Sequence, residues 1–199
     1  MTEEHLKPWR PLSPEEVGKL FTGAPFRWWL AGGYAIERFV GRPLREHSDI
    51  DVLILRRDHI AARDYLAAYD CWVADPPGKL RPWPRGVLLS DAAHDVWCRV
   101  NGLDVWQFQL MVDESADDNW VSRRDARIRL PANEIGFVSD GMSVLAPEIQ
   151  LFYKAKAPRA KDESDFASAA PSLSDAQRER LAQLIQIAYG ASHPWLARL

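Results

Sequence analysis

The segment from Trp28 to Leu55, WWLAGGYAIERFVGRPLREHSDIDVLIL, constrains this chain more than any other. A Gly-Gly pair precedes a helical pattern, and Asp49-Ile50-Asp51 opens a run of apolar, partly β-branched residues. In an extended strand alternate side chains share a face, which predicts Asp49 and Asp51 on one face and Ile50, Val52 and Ile54 on the other. Two neighbouring carboxylates repel each other and resist burial, and a hard cation such as Mg²⁺, completed by phosphate oxygens, offsets both effects. Gly32 and Gly33 lack a Cβ, so backbone N–H groups can come close to an anion at the start of the next helix. Metal and phosphate could therefore meet in this segment.

Gly-Gly and Asp-x-Asp are each common alone, but their order, spacing and intervening helix are specific together. The combination resembles the DNA polymerase beta-like nucleotidyltransferase superfamily, whose members transfer a nucleoside monophosphate from a nucleoside triphosphate to an acceptor. Arg45-x-His47-x-Asp49-Ile50-Asp51, with its long gap after the glycines, is similar to the small aminoglycoside and lincosamide nucleotidyltransferases. The resemblance implies one or two Mg²⁺ ions on Asp49 and Asp51, the nucleotide phosphates on Gly32 and Gly33, and ATP as the expected nucleotide; Arg45 reads either as a surface charge or as a phosphate ligand. It also implies a hydroxyl-bearing small-molecule acceptor, with aminoglycoside and lincosamide antibiotics as candidates. His47 reads as a loop residue or as a hydrogen-bond partner that orients Asp49, rather than as a metal ligand.

Composition narrows the partners. The 199 residues are 47% hydrophobic, enough for a core, and 25 Lys and Arg against 28 Asp and Glu leave a net charge of −3. With a pI near 6.0 there is no global basic field to draw the chain to nucleic acid, so a small acceptor is the simpler expectation. Cys71 and Cys98 are too few for a disulfide framework or a structural zinc site. The polar N-terminus MTEEHLKPWR and the lack of a long apolar run predict neither a signal peptide nor a membrane span, and hence a cytoplasmic protein.

Along the chain, helix is predicted over Pro14–Leu20 and strand over Arg27–Ala31, followed by a helix that stops at Gly41. Strand is predicted over Ile50–Leu55, then a helix capped by Asp58 that ends near Tyr69, a strand over Cys71–Ala74, and a loop over Pro76–Gly86. Asn101-Gly102 between Ala93–Val100 and Leu103–Val112 predicts a tight antiparallel hairpin. On its second strand Asp104 would share a face with Trp106 and Phe108. The superfamily pattern includes a third acidic residue on a strand beside Asp-x-Asp, and Asp104 followed by Val105 matches it, as a metal ligand and the base for the acceptor hydroxyl. Asp95 and Asp113 compete for the role, and the acidic run from Asp113 to Asp118 reads as a solvated loop.

In the last third, Arg127–Leu130 and Glu134–Val138 resemble a second hairpin, and Pro147, Ser174 with Gln177, and Gly190 punctuate helices. In Tyr153-Lys154-Ala155-Lys156 the resemblance implies that Lys154 reaches the triphosphate; the residues alone also allow a cation at a helix C-terminus. Most of the nine tryptophans read as core, with Trp83 and Trp120 as stacking candidates for a base or an acceptor ring. The expected architecture is a mixed α/β nucleotidyltransferase core over residues 1–140 and a helical C-terminal region over 141–199. Two alternatives stay open. One is a toxin-like nucleotidyltransferase acting on tRNA or protein, which a basic stripe of Arg123, Arg124, Arg127 and Arg129 would favour. The other is a non-catalytic nucleotide-binding module of the same fold.

Overall fold

The computed structural model describes residues 3–76 and 78–199. Among them are ten strands and six α-helices in a mixed α/β arrangement. The chain forms two compact units, Met1–Leu30 with His47–Ser115 and Ala31–Glu46 with Ala116–Leu199.

The first unit is built on strands in the order β4-β3-β5-β6-β2-β1. These are β1 (Trp28–Ala31), β2 (Asp51–Leu55), β3 (Tyr69–Ala74), β4 (Leu80–Pro82), β5 (Asp95–Val100) and β6 (Phe108–Ala116). β2 and β6 run parallel, whereas β5 is antiparallel to both β3 and β6. Val52 to Leu55 of β2 are wholly buried, as a strand covered on both faces requires. Helix α1 (Pro14–Phe21) starts at Ser13, whose hydroxyl accepts from the Glu16 N–H while Glu16 accepts from the Ser13 N–H, and its Val17 and Phe21 enter the core.

Several local expectations change here. The helix after β2 is short: a 3₁₀ turn, Arg56–Asp58, leads into α3 (His59–Tyr65), and the Asp58 side chain does not cap it. The proline-rich loop contains the short strand β4, which pairs with β3 through Trp72 and Pro82. Asn101-Gly102 does turn the chain, with the Leu103 N–H donating to the Val100 carbonyl and Gly102 at φ 82, but the ladder of β5 and β6 does not start at that turn. A two-residue turn would set Cys98 opposite Val105, but Cys98 pairs with Phe108, three positions further on. The intervening chain is engaged elsewhere: the Trp106 N–H donates to Pro8, Arg10 donates back to Trp106, and Leu12 donates to Gln107. Capture by the N-terminal segment replaces the tight ladder, and because the slip is odd it exchanges the faces of β6. β6 also runs on through Asp113, which is fully buried rather than in a solvated loop.

The second unit contains α2 (Gly32–Val40), β7 (Asn119–Val121), β8 (Arg129–Pro131), β9 (Gly136–Ser139), β10 (Met142–Leu145), α4 (Pro147–Lys154), α5 (Ala160–Ala169) and α6 (Asp175–Tyr189). The hairpin expected between Arg127–Leu130 and Glu134–Val138 does not form; β8 pairs with β7 and β9 with β10. α2 ends where Gly41 adopts a left-handed conformation and its N–H returns to Glu37. Pro147 begins α4, and Ser174 with Gln177 closes a capping box at the start of α6. α2 packs on α4 and α5, and α4 packs on α6.

Candidate active site

β2 places the paired carboxylates. Ile50 is buried and its carbonyl accepts from the Gln109 N–H, so the chain is already laddered to β6 one residue before β2 begins. Asp49 and Asp51 flank Ile50 and are both half-buried, the alternation expected of a strand end with one wet face.

Register across the first unit extends this face into a row. Asp51 lies opposite Gln109 on β6, Gln109 opposite Trp97 on β5, and Trp97 opposite Trp72 on β3. All four are half-buried, while the next row, Val52, Leu110, Val96 and Val73, is buried core. Strands lie about 4.8 Å apart, so Trp97 stands roughly 10 Å from Asp51 along the row. Trp97 meets Trp9 edge-on at 5.1 Å and Trp106 at 5.7 Å. One step away, Asp95 accepts from Gln109 Nε2 at 3.0 Å. The face combines carboxylates, an amide and an indole, which suits a hydroxylated ring.

Asp104 is not brought to this row. It precedes β6, its side chain is 85% exposed, and it pairs with Lys7 Nζ at 2.7 Å. The hydrogen bond from Lys7 and the ammonium charge hold the Asp104 carboxyl below its ordinary range. Among the described residues no three His, Cys, Asp or Glu side chains are grouped to hold a metal ion. The position across from Asp51 belongs to Gln109, a neutral amide, and Asp95 is the carboxylate attached to it. The sequence concealed this because the Asn-Gly signal implies a ladder that the pairing of Cys98 with Phe108 does not follow.

In the second unit, Gly32 opens α2 with φ 70, a left-handed conformation that favours glycine. Its N–H is already used, donating to Gln150 Oε1 at 2.7 Å. Gly33 follows at the second helical position, where the N–H has no intrahelical acceptor and points along the positive end of the helix. Gly33 is therefore the better placed of the two glycines for a phosphate, and Gln150 is a participant that sequence reasoning missed.

Arg45 and Lys154, both candidate phosphate ligands, converge on one carboxylate. Lys154 Nζ lies 2.8 Å from Asp165 and 3.1 Å from Asp162, and Arg45 Nε lies 3.4 Å from Asp165. The Lys154 side chain is 7% exposed and Asp165 1%, so this is a buried ion cluster on α4 and α5. Burial opposes the charge on Asp162, but hydrogen bonds from Arg159 and the ammonium of Lys154 outweigh it and hold the carboxyl at about 2. Lys154 is committed to packing these helices together.

Other expectations move as well. Trp83 and Trp120 are buried, and Trp83 Nε1 donates to the Val87 carbonyl, so neither offers a ring to a ligand. The arginine stripe is split: Arg127 binds Asp125, holding that carboxyl at about 2, while Arg123 and Arg124 lie over the Tyr153 ring at 5.4 and 5.7 Å. Burial pushes the nearby Tyr189 hydroxyl up to about 12, so it stays protonated.

Mg²⁺, which the fold family implies, can be tested against these donors. Mg²⁺ commonly takes one or two carboxylates and completes its shell with water and substrate phosphate. Asp49 and Asp51, on either side of buried Ile50, supply such a pair. The residues fit an ion that depends on the nucleotide for its remaining oxygens.

Solved structures share the fold. The solution structure of the antibiotic-resistance factor ANT(2'')-Ia matches with a TM-score of 0.56 at 16% identity, over 89% of this chain and 91% of that one. The lincosamide antibiotic adenylyltransferase LnuA, solved with lincomycin bound, matches with a TM-score of 0.55 at 15% identity, over 81% of this chain and 98% of that one. ANT(2'')-Ia in complex with adenylyl-2''-tobramycin gives 0.52 at 16% identity, over 92% and 97%. No curated protein sequence matches. The model of the aminoglycoside-2''-adenylyltransferase family matches residues 15–168, which include the Gly-Gly turn, Asp49, Asp51, the Trp97 row and α4. On that match, the chain belongs to the aminoglycoside-2''-adenylyltransferase family.

Proposed function

We propose that this protein transfers a nucleoside monophosphate, AMP by the family's name, from a nucleoside triphosphate to a hydroxyl of a small ring-bearing acceptor such as an aminoglycoside. The observation that carries the reading is the half-buried pair Asp49 and Asp51 around buried Ile50, in line with Gln109 and Trp97.

Asp49 and Asp51 would hold Mg²⁺, which when bound neutralises phosphate charge and makes the α-phosphorus more electrophilic. Within the second unit, the Gly33 N–H at the start of α2 is a donor suited to a phosphate oxygen. Asp95, oriented by the amide of Gln109, would accept the proton of the acceptor hydroxyl. The acceptor oxygen then bonds to the α-phosphorus as the bond to the bridging oxygen breaks, and pyrophosphate leaves with that electron pair. Trp97 would carry the acceptor ring on its half-buried indole. This assignment moves the role of base from Asp104 to Asp95, because Asp104 is engaged by Lys7 away from the row.

Incubation with Mg²⁺, each nucleoside triphosphate and a panel of aminoglycosides and lincosamides tests the reading by mass spectrometry. The expected product is acceptor heavier by one nucleoside monophosphate, with pyrophosphate released. No mass shift on any hydroxylated small molecule, with labelling of tRNA or protein instead, would transfer the reading to the macromolecular alternative.

A further inference from the structure

We infer that Gln150 is a positioning residue for the nucleotide-phosphate turn, and that its being an amide rather than a carboxylate keeps the turn open to an anion. The inference rests on the phosphate-binding reading of the Gly32-Gly33 turn. Helix α2 begins after Ala31, which has no side-chain oxygen to cap it. The Gly32 N–H is one of the donors a helix leaves without an internal partner. Its acceptor comes from 118 positions away, where Gln150 Oε1 stands at 2.7 Å. Gln150 is only 3% exposed, so removing the acceptor would leave a buried N–H unsatisfied.

The identity of the cap matters beyond its reach. A peptide N–H can only donate, so the amide must turn Oε1 toward Gly32 and its NH₂ group away. A glutamate could accept the same hydrogen bond, and as an anion at a helix N-terminus it would be the stronger cap. It would also set a full negative charge beside the N–H of Gly33, where a phosphate is to bind. Glutamine keeps the acceptor and removes the charge. Its base is firm, since Pro147 starts α4 and Lys154 at the other end is fixed by Asp162 and Asp165.

The test compares Gln150→Glu and Gln150→Met with the parent, as full chains. It reads Tm, calorimetric affinity for ATP and for inorganic triphosphate in Mg²⁺, and separate KM values for nucleotide and acceptor. Gln150→Glu at pH 8 is expected to bind ATP and triphosphate at least about tenfold more weakly than the parent, because a carboxylate at a position only 3% exposed repels phosphate with little screening. Gln150→Met is expected to lower Tm and raise the nucleotide KM with the acceptor KM unchanged. A purely structural Gln150 would move Tm in both variants and leave nucleotide affinity at the parental value, which overturns the inference. Should Gln150→Glu fold poorly, the split between the two KM values in Gln150→Met decides in the same way. A parent that binds no nucleotide in Mg²⁺ overturns the nucleotidyltransferase reading itself and this inference with it, whereas variants with parental affinity overturn this inference alone.

Discussion

Asp51 on β2 stands directly opposite Gln109 on β6, so the position facing Asp51 carries an amide, and that amide donates to the carboxylate of Asp95 at 3.0 Å. An amide can orient a base but cannot be one. Asp95→Asn is therefore expected to reduce single-turnover transfer by about 10²- to 10⁴-fold, the usual range for a general base, with nucleotide affinity preserved. Asp104→Asn should leave turnover close to the parent. Loss of turnover in Asp104→Asn together with a normal Asp95→Asn would restore the tight-hairpin assignment.

Removing the paired carboxylates should abolish metal-dependent nucleotide binding. Triphosphate and aspartates are both anionic and attract only through a cation between them. Calorimetry with ATP is expected to show binding by the parent in Mg²⁺, none in EDTA, and none by Asp49→Asn with Asp51→Asn in either condition. Equal binding by the double variant in Mg²⁺ would sink the metal-bridge account.

Lys154 separates a structural role from a ligand role. It is 7% exposed and bound to two carboxylates that are themselves buried, so Lys154→Met removes the buried ammonium they share and leaves Asp165 to Arg45 and Asp162 to Arg159. Loss of one member of such a pair costs about 3–5 kcal/mol, which denaturant unfolding would register as a lower midpoint. A variant of parental stability with a raised nucleotide KM would instead return Lys154 to the phosphates.

The same cluster sets an acid limit. Asp162 is held at about 2, below its value in an unfolded chain, so its contribution is fully present above the unfolded pKa and disappears as pH falls through the folded one. Stability of the parent should decline between about pH 5 and pH 2. Asp162→Asn should flatten that decline and be less stable than the parent at pH 7. An unchanged slope in thermal melts across this window would show that other carboxylates govern it.

Trp97 tests the acceptor side. Trp97→Leu keeps an apolar side chain but removes the ring beside Gln109, and stacking of this kind is worth roughly 0.5–1.5 kcal/mol, or about two- to tenfold in acceptor KM. The nucleotide KM should not move. A change in both KM values would mean that Trp97 supports the fold of the face rather than the ligand.

Local chemistry was legible from the chain itself. Ser13 with Glu16 and Ser174 with Gln177 specify helix starts through hydrogen bonds that span only three residues, and Gly41 specifies a helix stop through its left-handed backbone. Alternation around Ile50 likewise put Asp49 and Asp51 on a wet face, because side-chain direction in a strand depends only on position along it. Partnership between distant segments was not legible. Asn101-Gly102 signals a tight hairpin, but hydrogen bonds between residues 8–12 and Trp106 and Gln107 override its ladder, shift the register by three and put Gln109 opposite Trp97, where Trp106 was expected. Lys154 and Arg45 read as phosphate ligands until α5 delivers Asp165 to both, and the free Gly32 N–H read from the sequence is filled by Gln150. Short-range rules fix which residues face water on each element. Which charge or donor meets which is decided only when distant elements pack, since each buried group then takes whichever partner the fold brings within reach.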